Sequence, residues 1–108
     1  MNADHLLDRL ERMKDAIPVH AKAKADRVHL EQFRKSKKAI LMQASPEKTQ
    51  AGKESWAYAH DEYVQLLDGL REAVEKEELC KWSLLRVQME IDVYRTQEAT
   101  RRAMENRV

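Results

Sequence analysis

Residues 62–106 read EYVQLLDGLREAVEKEELCKWSLLRVQMEIDVYRTQEATRRAMEN, and this stretch decides the fold. It contains no proline and a single glycine, Gly69, so nothing in it breaks a helix. Alternating steps of three and four residues select ten positions, nine of them apolar, which we call the packing seam: Tyr63, Leu66, Leu70, Ala73, Glu77, Cys80, Leu84, Val87, Ile91 and Tyr94. Such a repeat is typical of a helix that packs lengthwise against another helix.

The N-terminal part of the chain predicts the partner of that helix. Apolar residues at helical spacing indicate helices over residues 3–16 and 19–44. In the first range they are Leu6, Leu7, Leu10 and Met13, with Ile17 directly after it. In the second they are Ala23, Leu30, Phe33, Ile40, Leu41 and Ala44. Pro18 lacks an amide hydrogen and restricts the residue before it, so we expect a kink or a break there.

The residues between the two long segments predict a short helix over residues 46–59. Ser45-Pro46 ends the N-terminal arm, and Pro46 suits the first position of a new helix. Asp61 is a good N-cap for the last helix, which we place at residues 62–106. The predicted class is therefore all-α: a long antiparallel, coiled-coil-like helical hairpin with a short third helix at one end, forming one helical domain over residues 1–108.

The charge pattern supports an antiparallel pairing. Residues 20–38 carry seven basic and two acidic residues, whereas residues 61–78 carry seven acidic and two basic ones. In an antiparallel hairpin these two blocks lie side by side, and flanking opposite charges help to set the orientation of such helices.

The composition argues against several classes of function and does not indicate a specific one. Lys and Arg number 20 and Asp and Glu 19, for a net charge of +1, which lacks the basic excess of most dedicated nucleic-acid binders. Cys80 is the single cysteine, so a reducing compartment is the simplest interpretation. We find neither a signal peptide nor an apolar run of membrane-spanning length, and we expect a cytoplasmic protein without a membrane partner.

No motif for catalysis is recognisable in the chain. The four histidines lack neighbours at metal-ligand spacing, and there is no glycine-rich phosphate loop or nucleophile elbow. We therefore expect no catalytic residues, no metal, no cofactor and no small-molecule substrate, and we do not expect an enzyme.

Aromatic and methionine side chains are the candidates for protein binding. They are Trp56, Tyr58, Trp82, Met89 and Tyr94. Trp82 lies two residues beyond Cys80 and therefore off the seam, where it either packs against another helix or stands exposed as a binding hot spot. A hairpin this thin also buries little per residue, so we expect a homodimer.

Two basic groups support an alternative function as a nucleic-acid-binding accessory factor. The residues are Arg34, Lys35, Lys37 and Lys38 in the N-terminal arm, and Arg95, Arg101 and Arg102 near the end of the chain. Such clusters can contact phosphates. Pairing with the acidic block, and with the negative end of the helix dipole, explains the same residues without a ligand.

Several stretches resemble a family of small proteins encoded by tailed phages and prophages. They are residues 30–42 (LEQFRKSKKAILM), 53–59 (KESWAYA), 63–73, 94–96 (YRT) and 99–102 (ATRR), so the resemblance covers about residues 27–102. It implies an intracellular role among early genes for DNA metabolism and recombination, and it transfers no catalytic residues. Trp56 departs from the pattern, because a smaller or acidic residue is more usual there.

The leading hypothesis is a small interaction protein. A long amphipathic scaffold with candidate exposed aromatic residues and no catalytic motif favours binding to another protein, from host or phage, through a helical surface. Modulation of DNA recombination, or a block on a host defence system, is the role that the phage resemblance would imply.

Overall fold

The computed structural model describes residues 2–107 and contains three helices, α1 (Ala3–Ala44), α2 (Gln50–Ala59) and α3 (Asp61–Glu105). No strand occurs within that described range. Contacts between α1 and α3 run in opposite directions along the two helices, because Arg27 pairs with Glu77 whereas the later residue Lys37 pairs with the earlier residue Glu62. The protein is therefore an all-α helical hairpin, which confirms the predicted fold class.

The chain divides into two units, and each contains a part of both long helices. The central unit is Lys22–Glu77 and includes α2. The terminal unit combines residues 2–21 of the first helix with residues 78–107 of the last. Each unit is described separately below.

The packing seam of α3 is confirmed along its whole length. Tyr63 and Ile91 are buried, and the other eight seam residues are half-buried. Glu77, the one charged residue in the seam, is half-buried because it pairs with Arg27 of α1: Arg27 Nε and Nη2 donate to the two Glu77 carboxylate oxygens, with the Nη2–Oε1 distance at 3.0 Å. The pairing raises the pKa of Arg27 above its ordinary value.

The predicted apolar stripe of α1 is wrong at six of its eleven positions and confirmed at five. Leu7, Leu10, Ile17, Phe33, Ile40 and Ala44 are exposed, whereas Leu6, Met13, Ala23, Leu30 and Leu41 are buried or half-buried. Five further half-buried residues complete the series of three- and four-residue steps, which is interrupted at the exposed Arg34; they are Arg9, Ala16, His20, Arg27 and Lys37. Arg and Lys side chains can occupy such positions because their aliphatic stems cover apolar surface while the charged ends reach a carboxylate or water.

Of the kink or break expected at Pro18, the break is wrong, because α1 is one continuous helix through that residue, and the kink stays a prediction. Proline removes the hydrogen bond that its amide would donate to the carbonyl of Lys14. Both residues are exposed, so water can take the place of the missing donor.

The short helix begins at Gln50 rather than at Pro46. Thr49 is its N-cap, and the Thr49 hydroxyl accepts a hydrogen bond of 3.0 Å from the Gly52 amide. Gly52 permits this close approach, since a Cβ there would lie 2.9 Å from Thr49 Oγ1. Helix α3 begins at Asp61. The preceding His60 accepts a hydrogen bond from the Glu62 amide through Nδ1, so the side chain of His60, rather than that of Asp61, caps the start of the helix.

A small apolar cluster holds α2 against the two long helices in the central unit. Leu41 of α1, Ala57 of α2 and Tyr63 of α3 are buried together, with Met42 and Trp56 packed against them. Of the five hydrophobic residues that are buried within the described range, four belong to the central unit and one, Ile91, to the terminal unit.

Ion pairs join the predicted basic and acidic blocks. Lys37 Nζ lies 2.9 Å from a Glu62 carboxylate oxygen, and Arg27 pairs with Glu77 as described above. The predicted side-by-side arrangement of the two blocks is therefore confirmed. Each exposed ion pair of this type contributes little stability. The main effect of these pairs is to favour this direction and register of the helices.

The first testable expectation concerns Leu41. Leu41→Ala should lower the free energy of unfolding by about 2–5 kcal/mol, because it leaves a cavity in the buried cluster. The matched control is Ile40→Ala, at an exposed neighbouring position, for which the loss should stay below about 1 kcal/mol. Urea unfolding followed by circular dichroism at one fixed protein concentration measures both. Equal losses for the two variants would contradict the assigned burial.

The two glycines should respond to alanine with opposite signs. A Cβ at Gly69 meets no atom within 4 Å, so Gly69→Ala should raise the free energy of unfolding by about 0.5–1 kcal/mol. Gly52→Ala should lower it, because the new methyl group collides with the Thr49 cap. The same unfolding experiment tests both, and a stabilising Gly52→Ala would show that the cap is not tightly packed.

The unfolding midpoint should fall as the solution is acidified from pH 5 to about pH 3. Lys37 lowers the pKa of Glu62, Lys22 lowers that of Asp26, and Arg101 lowers that of Glu98. A lowered folded-state pKa contributes stability above the unfolded-state pKa, and this contribution is lost as pH falls through the folded-state value.

Replacing Glu62 should reduce that acid sensitivity. Glu62→Gln removes the Lys37 pair, so its thermal midpoint should decline less between pH 5 and about pH 3 than that of the wild type. Glu72→Gln is the control, since Glu72 is exposed and forms no ion pair with any described residue. An identical decline for Glu62→Gln and the wild type would mean that this pair does not contribute.

Candidate protein-interaction face

The five candidate residues for protein binding separate into two groups. Trp56 and Tyr58 lie in the central unit, whereas Trp82, Met89 and Tyr94 lie in the terminal unit. Tyr94 is half-buried at a seam position of α3, so its position is explained by packing within the hairpin.

Trp56 and Tyr58 have structural partners in the central unit. Trp56 is half-buried against the apolar cluster, and its ring centroid lies 5.0 Å from that of His60. Tyr58 makes an edge-on contact with Tyr63 at a centroid separation of 5.3 Å. The Lys38 ammonium lies 4.7 Å from the Tyr58 ring centroid. These contacts give both residues a role in holding α2.

Trp82 is exposed, which decides the alternative that the sequence left open. Its side chain is 60% exposed, and that of Met89 is 64% exposed. The indole Nε1 donates to a Glu78 carboxylate oxygen at 3.1 Å, so the polar atom has a partner on the same helix. The Lys81 ammonium lies 5.8 Å from the centroid of the Trp82 ring, and the ring surface is otherwise exposed. Leu85 lies between Trp82 and Met89, and the three-then-four spacing places all three residues along one face of α3.

Exposed apolar residues on α1 lie elsewhere on the terminal unit. Leu7, Leu10 and Ile17 each follow a packing position of α1 by one residue, so they lie beside the contact between the helices. Trp82 and Met89 follow the seam residues Cys80 and Val87 by two residues, or about 200°, so they point away from α1.

Trp82, Leu85 and Met89 form what we call the Trp82 face. All three lie on α3 within the terminal unit, and each is 40–64% exposed. Scattered single apolar residues on a surface are ordinary, whereas a contiguous apolar group is the usual mark of an interaction site.

One side of the terminal unit carries a groove of about 430 Å³ between the helices, lined by Arg12, Asp15, Ala16, Val19, Leu79, Cys80 and Ser83. Val19 and Leu79 are exposed apolar residues in this lining. Glu90 beyond the groove accepts ion pairs from Arg9 and Arg86. Cys80 is half-buried beside this groove and forms no disulfide.

Two of the four candidate nucleic-acid-binding residues in the N-terminal arm are already engaged. Lys37 pairs with Glu62 at 2.9 Å and Lys38 with Glu54 at 3.5 Å. Contact with Tyr58, together with the Glu54 carboxylate, raises the pKa of Lys38. Arg34 and Lys35 are exposed and form no ion pair with any residue that the structure describes.

The candidate arginines near the end of α3 show the same tendency. Arg101 pairs with Glu98 at 2.7 Å and with Glu105 at 2.6 Å, and the carboxylates raise its pKa. Arg102 donates to the backbone carbonyl of Glu98 at 3.4 Å. Arg95 is exposed and makes no ion pair within residues 2–107. Intrahelical pairing therefore accounts for much of this group.

Other kinds of site find no support in the part of the chain that the structure describes. No group of three or more His, Cys, Asp or Glu side chains is close enough to hold a metal ion there. Among the same residues, no helix combines the length and the apolar character needed to cross a membrane.

Sequence reasoning identified Trp82 and Met89 but missed Leu7, Leu10, Ile17 and Leu85 as surface residues. The signal was present in the spacing of α1. Leu6 and Met13 are seven residues apart, and continuing that period leads through His20, Arg27, Arg34 and Leu41, all of which pack except the exposed Arg34. Assigning the packing positions by hydrophobicity alone placed the aliphatic residues of α1 on the wrong side.

Comparison of the chain with protein-family models, with curated proteins and with solved structures finds no match in any of the three. The resemblance to phage and prophage proteins therefore stays a prediction from the sequence.

Proposed function

We propose that this chain is a non-catalytic interaction protein that binds another protein chain through the Trp82 face. The observation that carries the proposal is the grouping of three large apolar side chains, Trp82, Leu85 and Met89, along one face of α3, each 40–64% exposed. Tryptophan is among the residues most enriched in the energetic centres of protein interfaces.

The energetics of the Trp82 face support binding to an extended apolar surface. Full burial of one large apolar side chain contributes roughly 1.5–3 kcal/mol, so three residues about half exposed represent roughly 2–5 kcal/mol. Association costs on the order of 4–15 kcal/mol in lost freedom. Stable binding therefore needs all of the Trp82 face to be covered, together with contacts around it.

That requirement identifies the chemistry of the partner. The Trp82 face follows the axis of α3, so the matching surface is an amphipathic helix with its own apolar stripe. Charged residues of both signs border the face, with Glu78 and Lys81 next to Trp82 on α3. A partner of strong single-sign charge is not favoured by such a border.

The narrower roles remain predictions. A phage or prophage origin, a cytoplasmic location, and an effect on recombination or host defence come from the sequence resemblance and from composition. The nucleic-acid alternative would depend mainly on Arg34, Lys35, Arg95 and Arg102, the candidate cations without an ion pair in the described residues. Such binding should weaken steeply between low and moderate salt.

Photo-crosslinking in living cells tests the interaction function. A photoreactive benzoyl-phenylalanine that replaces Trp82 should form a covalent adduct with a protein, because the side chain lies within the covered surface. The mass of the adduct then identifies the partner as this chain or as a different protein.

The matched control places the same photoreactive residue at Ser83. This position is the exposed neighbour of Trp82. It is turned by about 100° around the helix toward the groove that Ser83 helps to line. Adducts from position 82 without adducts from position 83 are the expected outcome. No protein adduct from position 82 or from position 89 would contradict the proposed function.

A further inference from the structure

We propose that a cleft in the central unit binds a small phosphate monoester. The cleft has a volume of about 330 Å³, and all three helices contribute to its lining: Arg34, Lys35 and Lys38 of α1, Tyr58 of α2 and Tyr63 of α3. Sites for small ligands commonly have volumes of about 300–1,000 Å³. The cleft does not include any residue of the Trp82 face, so the proposal does not depend on the interaction function above.

The three cations of the cleft form one group on the surface of α1. Arg34 and Lys38 are four residues apart, and Lys35 and Lys38 are three residues apart, so the side chains are neighbours on the helix. Like charges at these spacings repel each other and destabilise a helix. An anion bound among them removes this repulsion, so the arrangement favours a negatively charged ligand.

The carboxylate that precedes this group on α1 is bound elsewhere. Glu31 lies three residues before Arg34 and four before Lys35, at spacings from which it could pair with either. It instead accepts a hydrogen bond of 2.9 Å from Arg27. Arg34 and Lys35 are exposed and form no ion pair with any described residue, so two positive charges at the cleft are left for a ligand.

The third cation supplies a donor without adding net charge. The Lys38 ammonium lies 3.5 Å from a Glu54 carboxylate oxygen, which balances its charge, and 4.7 Å from the centroid of the Tyr58 ring. The uncompensated charge of the cleft is therefore that of Arg34 and Lys35.

That charge matches a phosphate monoester. A phosphate monoester carries about −1.5 to −2 charges near pH 7 and offers three acceptor oxygens. The planar guanidinium of Arg34 can donate two parallel hydrogen bonds to such a group. A nucleic-acid strand instead carries its charges along a backbone and is usually bound by a longer track of cations. The cleft therefore favours a small ligand over a strand.

The two tyrosines indicate that the phosphate is attached to an organic group. Tyr63 is buried and Tyr58 is 47% exposed, and their rings make an edge-on contact at a centroid separation of 5.3 Å. Aromatic rings that line a cleft provide apolar contact area for a bound group. An ester with an aromatic or other apolar part can use this area, whereas inorganic phosphate cannot.

Titration calorimetry of the full-length chain with phenyl phosphate tests the proposal. The measurements are made near pH 7, at an ionic strength of about 0.1 M, and at two temperatures so that a binding enthalpy near zero at one of them does not hide the interaction. The wild type should bind one phenyl phosphate per chain. Arg34→Gln should raise the dissociation constant by about tenfold, because a charge-assisted hydrogen bond is lost. Lys35→Gln is a second variant with the same expected direction.

The matched control is Lys24→Gln. Lys24 is an exposed cation of α1 in the central unit and forms no ion pair with any described residue, so its replacement removes the same charge from the same helix. It lies ten residues before Arg34, or about 15 Å along the helix, which exceeds the screening length of about 10 Å at this ionic strength. The dissociation constant should change by less than about twofold. Circular dichroism checks that all three variants keep their helices.

Three further ligands distinguish the sources of a phosphate group. Phenyl phosphate should bind more tightly than inorganic phosphate, which lacks the organic group, and more tightly than diphenyl phosphate, which carries a single charge. It should also bind more tightly than a single-stranded oligonucleotide without terminal phosphates.

Each of four results would overturn the proposal. They are no binding of phenyl phosphate to the wild type, equal effects of Arg34→Gln and Lys24→Gln, equal or tighter binding of inorganic or diphenyl phosphate, and tighter binding of the oligonucleotide. The last result would support the nucleic-acid alternative. None of them changes the outcome expected for photo-crosslinking at position 82, so the two proposals fail independently.

Discussion

The central unit depends on one ion pair inside the helix contact. Arg27 and Glu77 occupy packing positions on α1 and α3, and the guanidinium binds both carboxylate oxygens while a third nitrogen binds Glu31 at 2.9 Å. The pair adds little net stability over apolar residues of the same size, because both charges lose water. Its consequence is specificity: a shift of either helix by one residue would separate the two charges and leave them half-buried without a partner. A polar residue at such a position sets the register of paired helices.

That register explains the contrast between the two long helices. In α3 the apolar residues coincide with the packing positions, so the sequence predicts both the helix and its buried side. In α1 the packing positions include Arg9, His20, Arg27 and Lys37, whereas several leucines and isoleucines are displaced by one residue toward solvent. Hydrophobicity alone selects the wrong side of such a helix, because a long basic side chain can pack through its stem. The continuity of α1 through Pro18 could not be predicted either, since it depends on the exposure of the backbone there.

The candidate site was predictable in part for the same reason. Trp82 and Met89 lie clearly off the seam, so their spacing indicates surface positions. Leu7, Leu10 and Ile17 could be recognised as surface residues only after the contacts of α1 were assigned. Trp56 and Tyr58 looked like binding residues because they are aromatic, yet the tertiary contacts of α2 bring both into the central unit's packing. Spacing along one helix cannot show contacts that depend on where a third helix lies.

Pro18 affects how far local unfolding from the N-terminus spreads along α1. It lies a few residues before the start of the central unit at Lys22, and its missing backbone hydrogen bond is a weak point in the ladder of α1. Local opening events in proteins tend to stop where cooperativity is low. Fraying that begins at the N-terminus should therefore end near this proline, so that amide protons before it exchange with solvent faster than those of residues 23–41. The proline would thus separate two levels of protection within a single continuous helix.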